Sequence, residues 1–84
     1  MRLDKFLQIS RIIKRRILAN EICNRGNVTV NGQIAKAGKK ISLGARLDID
    51  LGENEILSYE ILEVPSHNVP KSKATFCYRK ISTS

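Results

Sequence analysis

Three consecutive cations, Lys14, Arg15 and Arg16, stand where the sequence predicts that a helix begins. A helix N-terminus already presents unpaired backbone N–H groups and the positive end of the helix dipole, so cations there oppose folding. The arrangement makes physical sense if an anion such as a phosphate occupies that end. Arg2, Lys5 and Arg11 add charge from the preceding segment. Arginine dominates the set, and its planar fork holds phosphates bidentately and stacks on unpaired bases. The chemistry on offer is recognition of a phosphodiester backbone, and the candidate contact residues are Arg2, Lys5, Arg11, Lys14, Arg15 and Arg16.

Other chemistries find no support. The one histidine, His67, lies in a stretch leading to Pro70, and no Ser or Cys has a base near it in sequence. Gly26, Gly32, Gly38, Gly44 and Gly52 fall at apparent turns and do not form a phosphate-binding loop. Cys23, Cys77 and His67 are one ligand short of a zinc site and lack close Cys spacing. Two cysteines make no disulfide framework, so both thiols are expected to pack as small apolar groups. No catalytic residue, metal or cofactor is expected, and the chain does not read as an enzyme.

The charge pattern supports a polyanionic partner. Up to Arg46 there are eleven basic residues against Asp4 and Glu21, a net of +9. From Leu47 to Val64 six carboxylates meet no Lys or Arg, and the remainder carries four cations, giving +7 over 84 residues. Concentrated charge of this kind makes a field that nucleic acid can find. Aromatic residues are few, and Phe6 and Phe76 are expected in the core, so stacking platforms for single strands are not evident. Recognition of RNA shape and backbone is favoured over sequence. The opening residues do not resemble a signal peptide, and no apolar run approaches the ~20 residues that span a bilayer. A soluble cytoplasmic protein without a membrane partner is expected.

The elements that must position these residues are short. Leu3, Phe6 and Leu7 have the spacing of an amphipathic helix, broken at Ser10-Arg11. A second helix is predicted from Arg15 or Arg16 to Arg25, with Leu18, Ala19, Ile22 and Cys23 as its apolar stripe and Gly26 as its stop. The period then changes to two: Val28 and Val30, an Asn31-Gly32 hairpin turn, and a return strand from Gln33-Ile34. Residues 36–40 read as a basic loop. Leu47, Ile49 and Leu51 alternate with Asp48 and Asp50, and a strand over 56–64 places Leu57, Tyr59 and Ile61 on one face. Residues 65–73 read as a loop, and 75–81 as a last strand with Phe76 and Tyr78 on one side. The fold class is α+β: two short N-terminal helices on a small, mostly antiparallel sheet.

The run Arg2-Leu3-Asp4-Lys5-Phe6-Leu7, Arg16 opening a helix, and Gly26-x-Val28-x-Val30-Asn31-Gly32 resembles the RNA-binding domain named after ribosomal small-subunit protein S-four, or αL motif. The resemblance covers about residues 1–62, and its ordered combination is more specific than any single piece. It implies RNA on the helical face, held by Arg2 and Arg16. Two departures stand out: Arg15 replaces the usual Ser/Thr cap, and Gly44-Ala45 replaces Gly-Asp. With Ser10-Arg11-x-Ile13-Lys14-Arg15-Arg16, the chain is most similar to the short bacterial members, the RqcP-type quality-control factors and their heat-shock relatives. The resemblance implies a non-catalytic monomer that binds obstructed large ribosomal subunits through ribosomal RNA and peptidyl-tRNA. It further implies support of alanine tailing by an RqcH-type protein. The heat-shock relatives carry a longer basic C-terminal extension, so the stop at Ser84 favours the RqcP type.

The expected domain is 1–64, with 65–84 a loop and short C-terminal strand extension. Lys39, Lys40 and Arg46 are expected on the sheet side, and the acidic segment opposite the RNA, facing water. Two alternatives differ in partner: a heat-shock-type factor recycling stalled large subunits, or a small DNA-binding protein using a helix-turn-helix. For the latter, Asn20, Glu21 and Asn24 are a thin set for reading a major groove.

Overall fold

The computed structural model describes residues 1–52, 55–64 and 77–81. Its first helix, α1 (Leu3–Ile9), buries Leu3, Phe6 and Leu7 completely, as the three-and-four spacing requires. The helix ends at Ser10, whose buried hydroxyl donates to the Leu7 carbonyl. Arg11 then takes a left-handed conformation, φ 62°, which turns the chain toward the second helix.

That helix, α2 (Arg16–Asn24), is stopped by Gly26 at φ 82°. The Gly26 N–H donates to the Cys23 carbonyl and the Asn27 N–H to the Ile22 carbonyl, the paired bonds of a Schellman ending. Only Ala19 and Cys23 of its predicted stripe are buried; Ile22 is partly buried and Leu18 exposed. A helix of nine residues packed against α1 buries a narrow seam, and Leu18 falls outside it.

Five antiparallel strands follow: β1 (Val28–Val30), β2 (Gln33–Ile34), β3 (Arg46–Gly52), β4 (Glu55–Ile61) and β5 (Tyr78–Lys80), in the spatial order β2-β1-β3-β4-β5. Asn31 and Gly32, at φ 53° and 84°, both take the positive values that a type I′ hairpin turn needs. On β3, Leu47 and Ile49 are buried and Leu51 is not, because the register shifts between Asp50 and Gly52 and the strand leaves the core there. The strand predicted over 56–64 is paired only to Ile61.

Val28, Val30, Leu47, Ile49, Tyr59 and Ile61 meet Leu3, Phe6, Leu7, Ala19 and Cys23 in one hydrophobic cluster. Tyr59 packs edge-on against Tyr78, ring centres 5.1 Å apart. Ala45, in place of the family's aspartate, is buried in the same cluster. Both cysteines are free and buried, and burial raises both thiol pKa values, Cys23 to about 11. The loop predicted over 65–73, and Phe76, lie outside the described residues.

Candidate nucleic-acid interface

The segment before α1 is stitched to the loop that follows β2. The Leu3 N–H donates to the Lys39 carbonyl, the Asp4 N–H to the Ala37 carbonyl, and the Ile41 N–H to the Met1 carbonyl, so Arg2 lies bridged to Lys40. Lys39 and Lys40, expected on the sheet side, therefore border the start of α1. The correction has a simple cause: the loop must satisfy the free N–H groups of the α1 N-terminus and runs beside them to do so. Asn24 fastens the loop to α2, accepting the Ala37 N–H at its side chain and the Lys36 ammonium at its carbonyl. Arg46 does lie on the sheet, paired with Asp48.

At the centre is Asp4, 2% exposed although charged. One carboxylate oxygen accepts from Arg2 Nε at 3.2 Å and from the Lys5 N–H at 2.8 Å. The other accepts from Asn20 Nδ2 at 3.4 Å and lies 3.5 Å from Arg16 Nε. Burial pushes this carboxyl's pKa up, but the hydrogen bonds from Asn20 and Lys5 and the charges of Arg16 and Arg2 outweigh it. The net result is a pKa below the ordinary carboxylate value. A single buried anion thus holds two arginines from different elements, and each keeps about half of its side chain in solvent.

Of the six sequence-predicted contact residues, Arg2 and Arg16 are brought together around Asp4. Arg11, Lys14 and Arg15 are exposed in the turn between the helices and at the α2 N-terminus, and Lys5 is partly buried on α1. These four make no ion pair among the described residues. Arg15 occupies the α2 N-cap with extended backbone and no side-chain cap, and no acidic residue follows in the first turn. That helix end keeps its positive character without an internal counter-charge.

Sequence reasoning passed over Asp4 as a functional residue, although a signal was present. It is the sole acid in the first twenty residues, and it sits beside Leu3 and three residues before Leu7, both on the buried face of the helix. Beside this cluster lies an open groove of about 450 Å³ lined by Arg2, Asp4, Arg16, Ile17, Asn20 and Glu21. No cluster of potential metal ligands occurs among the described residues, and no described helix is long and apolar enough to cross a membrane.

Comparison with known proteins identifies the family and the fold. The S4 domain signature matches residues 1–47. The chain is 47% identical over 78 residues to the RQC P-site tRNA stabilizing factor of Halalkalibacterium halodurans, covering 93% of this chain and 86% of that protein. It is 33% identical to Heat shock protein 15 of Escherichia coli, over all of this chain and 62% of that protein. Among solved structures, the trimeric Heat Shock Protein 15 of Vibrio cholerae superposes with a TM-score of 0.85 at 30% identity, covering 98% of this chain and 82% of that one.

Proposed function

The chain belongs to the S4 domain family, and from that premise we propose that it is an RNA-binding factor of ribosome-associated quality control, with no chemistry of its own. It acts in the cytoplasm as a monomer. It binds large ribosomal subunits obstructed by peptidyl-tRNA, touching ribosomal RNA and the tRNA, and supports alanine tailing of the stalled chain by an RqcH-type protein. The observation that carries this reading is the exposed arginine pair, Arg2 and Arg16, oriented by one buried carboxylate on a face whose further cations make no ion pair among the described residues. Arg11, Lys14 and Arg15 supply phosphate contacts around the pair, and Lys5 contributes from α1. Residues 1–64 form the RNA-binding unit, with 65–84 as its extension.

Similarity to the P-site tRNA stabilizing factor favours the quality-control reading over recycling by a heat-shock-type factor. Identity is higher for the P-site tRNA stabilizing factor than for the Escherichia coli heat-shock protein, 47% against 33%, and the match covers more of the relative's own length, 86% against 62%. Phosphate neutralisation predicts that log affinity falls linearly with log salt, with a slope of about −0.7 to −0.9 per phosphate contacted. The decisive experiment is co-sedimentation of Arg16→Ala with peptidyl-tRNA-obstructed large subunits. A folded variant should be lost from the subunit fraction; near-wild-type sedimentation would remove Arg16 from the contact set.

A further inference from the structure

Two carboxylates stand in the +9 segment, and of these two only Asp4 makes ion pairs among the described residues. Asp4 is consumed as the clamp of Arg2, Arg16 and Asn20. Glu21 is exposed, lines the groove beside those arginines, and makes no ion pair among the described residues. Arg25, four residues on, has the spacing for a helical ion pair with it, yet the structure shows none. A free acid on a face built for phosphates weakens backbone binding, so solubility is a poor account of it.

Ile17, one helical turn before Glu21, is 78% exposed in the same groove. The groove thus offers an apolar side chain and two guanidinium groups as walls, and a carboxylate at its margin. Its other two polar side chains are already committed: Asp4 is held by Arg2, Arg16, Asn20 and the Lys5 N–H, and Asn20 donates to Asp4 and accepts from Asn24. The volume, about 450 Å³, falls in the range of small-ligand clefts, ~300–1,000 Å³. Glu21 repels phosphate from the groove, and the exposed Arg11, Lys14 and Arg15, which do not line it, are left for the backbone. An unpaired base suits the interior: arginine planes and aliphatic groups cover its faces, and a carboxylate reads N–H groups on its edge.

The geometry points to a nucleobase site: the groove between Arg2, Arg16 and Ile17 takes one unpaired RNA base, and Glu21 selects guanine. This rests on the RNA-binding reading above and adds a base preference to it. Guanine presents N1–H and N2–H side by side, matching the two oxygens of a carboxylate. Inosine keeps only the first of these donors. Uracil places carbonyl oxygens on both sides of its single N–H and would face Glu21 with like partial charge. Because Arg11, Lys14 and Arg15 contact the backbone from outside the groove, the preference acts on top of a sequence-independent affinity.

The test is fluorescence anisotropy with labelled RNA hairpins of one stem and a uridine loop, differing at a single central loop position: guanosine, inosine or uridine. At fixed salt the guanosine hairpin should bind about tenfold tighter than the uridine one, with inosine between. Glu21→Gln should collapse the three affinities to a common value, and thermal melting should show that this exposed helical substitution leaves the fold intact. Equal binding of the three hairpins by the wild-type chain, or a guanosine preference that survives in Glu21→Gln, overturns the base site while leaving the RNA-binding reading standing. Failure to bind any hairpin, even at low salt, overturns both.

Discussion

Arginine is used in opposite ways on the two sides of this molecule. On the sheet, Arg46 pairs with Asp48 and Arg79 with Glu60, one cation to one anion. On the helical side, Arg2 and Arg16 share the single carboxylate of Asp4, and the surrounding cations make no ion pair among the described residues. The first arrangement cancels charge; the second keeps a surplus and fixes its direction. Availability to a polyanion is therefore set by the ratio of cations to anions in each cluster, and a count of basic residues misses it.

The sharpest way to break this comparison is to remove arginines from each side in turn. Arg2→Ala with Arg16→Ala should lower affinity for large-subunit RNA by about two orders of magnitude, from the loss of two charge-assisted contacts of ~1.5 kcal/mol each. Arg46→Ala with Arg79→Ala should leave affinity far closer to wild type, although it removes the same formal charge. Filter binding at fixed salt compares the two pairs, and equal losses would mean that only net charge matters.

Asp4→Asn separates orientation from charge. It makes the chain more basic, which by field strength alone would strengthen binding. If the clamp matters, affinity falls, and denaturant unfolding shows a loss of about 1–3 kcal/mol from the weakened hydrogen bonds to a charged group. A rise in affinity would show that the arginines need no fixed direction. The acid limb of stability should carry the same signature. The folded-state pKa of Asp4 lies below 3.8, so its contribution is complete above that value and disappears as pH falls through the lower folded value. Asp4→Asn should flatten that part of the curve, as measured by melting temperature between neutral pH and about pH 2.

The smallest effect is expected on the sheet. Asp48→Asn releases Arg46 from an exposed pair and weakens the Ser58 hydroxyl bond to the same carboxylate. The ion pair should contribute no more than ~1 kcal/mol, and RNA affinity should barely change. A marked gain would identify Arg46 as a contact suppressed by its neighbour.

Local signals made most of the fold legible. Gly26, Asn31-Gly32 and the alternation of Leu47 and Ile49 each depend on neighbours in sequence, and each sits as expected. Leu18 and Leu51 were overread because periodicity continues past the point where the partner surface ends. Of the candidate contact residues, the pair that the family resemblance singles out, Arg2 and Arg16, is the pair that the structure sets around Asp4. The clamp between them was not legible, because Asn20 and Arg16 reach Asp4 only after α2 folds back on α1. Lys39 and Lys40 were misplaced for the same reason: their neighbour, the start of α1, is nearly forty residues away in sequence.

The buried thiols have a practical consequence. Burial raises the Cys23 thiol to about 11, so it stays protonated and unreactive at pH 7. Cys77 is buried and shifted in the same direction. A cysteine introduced at an exposed position such as Leu43 would then be the fast-reacting thiol in an otherwise native background. The chain is ready for site-specific dye attachment, and the orientation of its two faces on a subunit can be measured by energy transfer without first stripping its own cysteines.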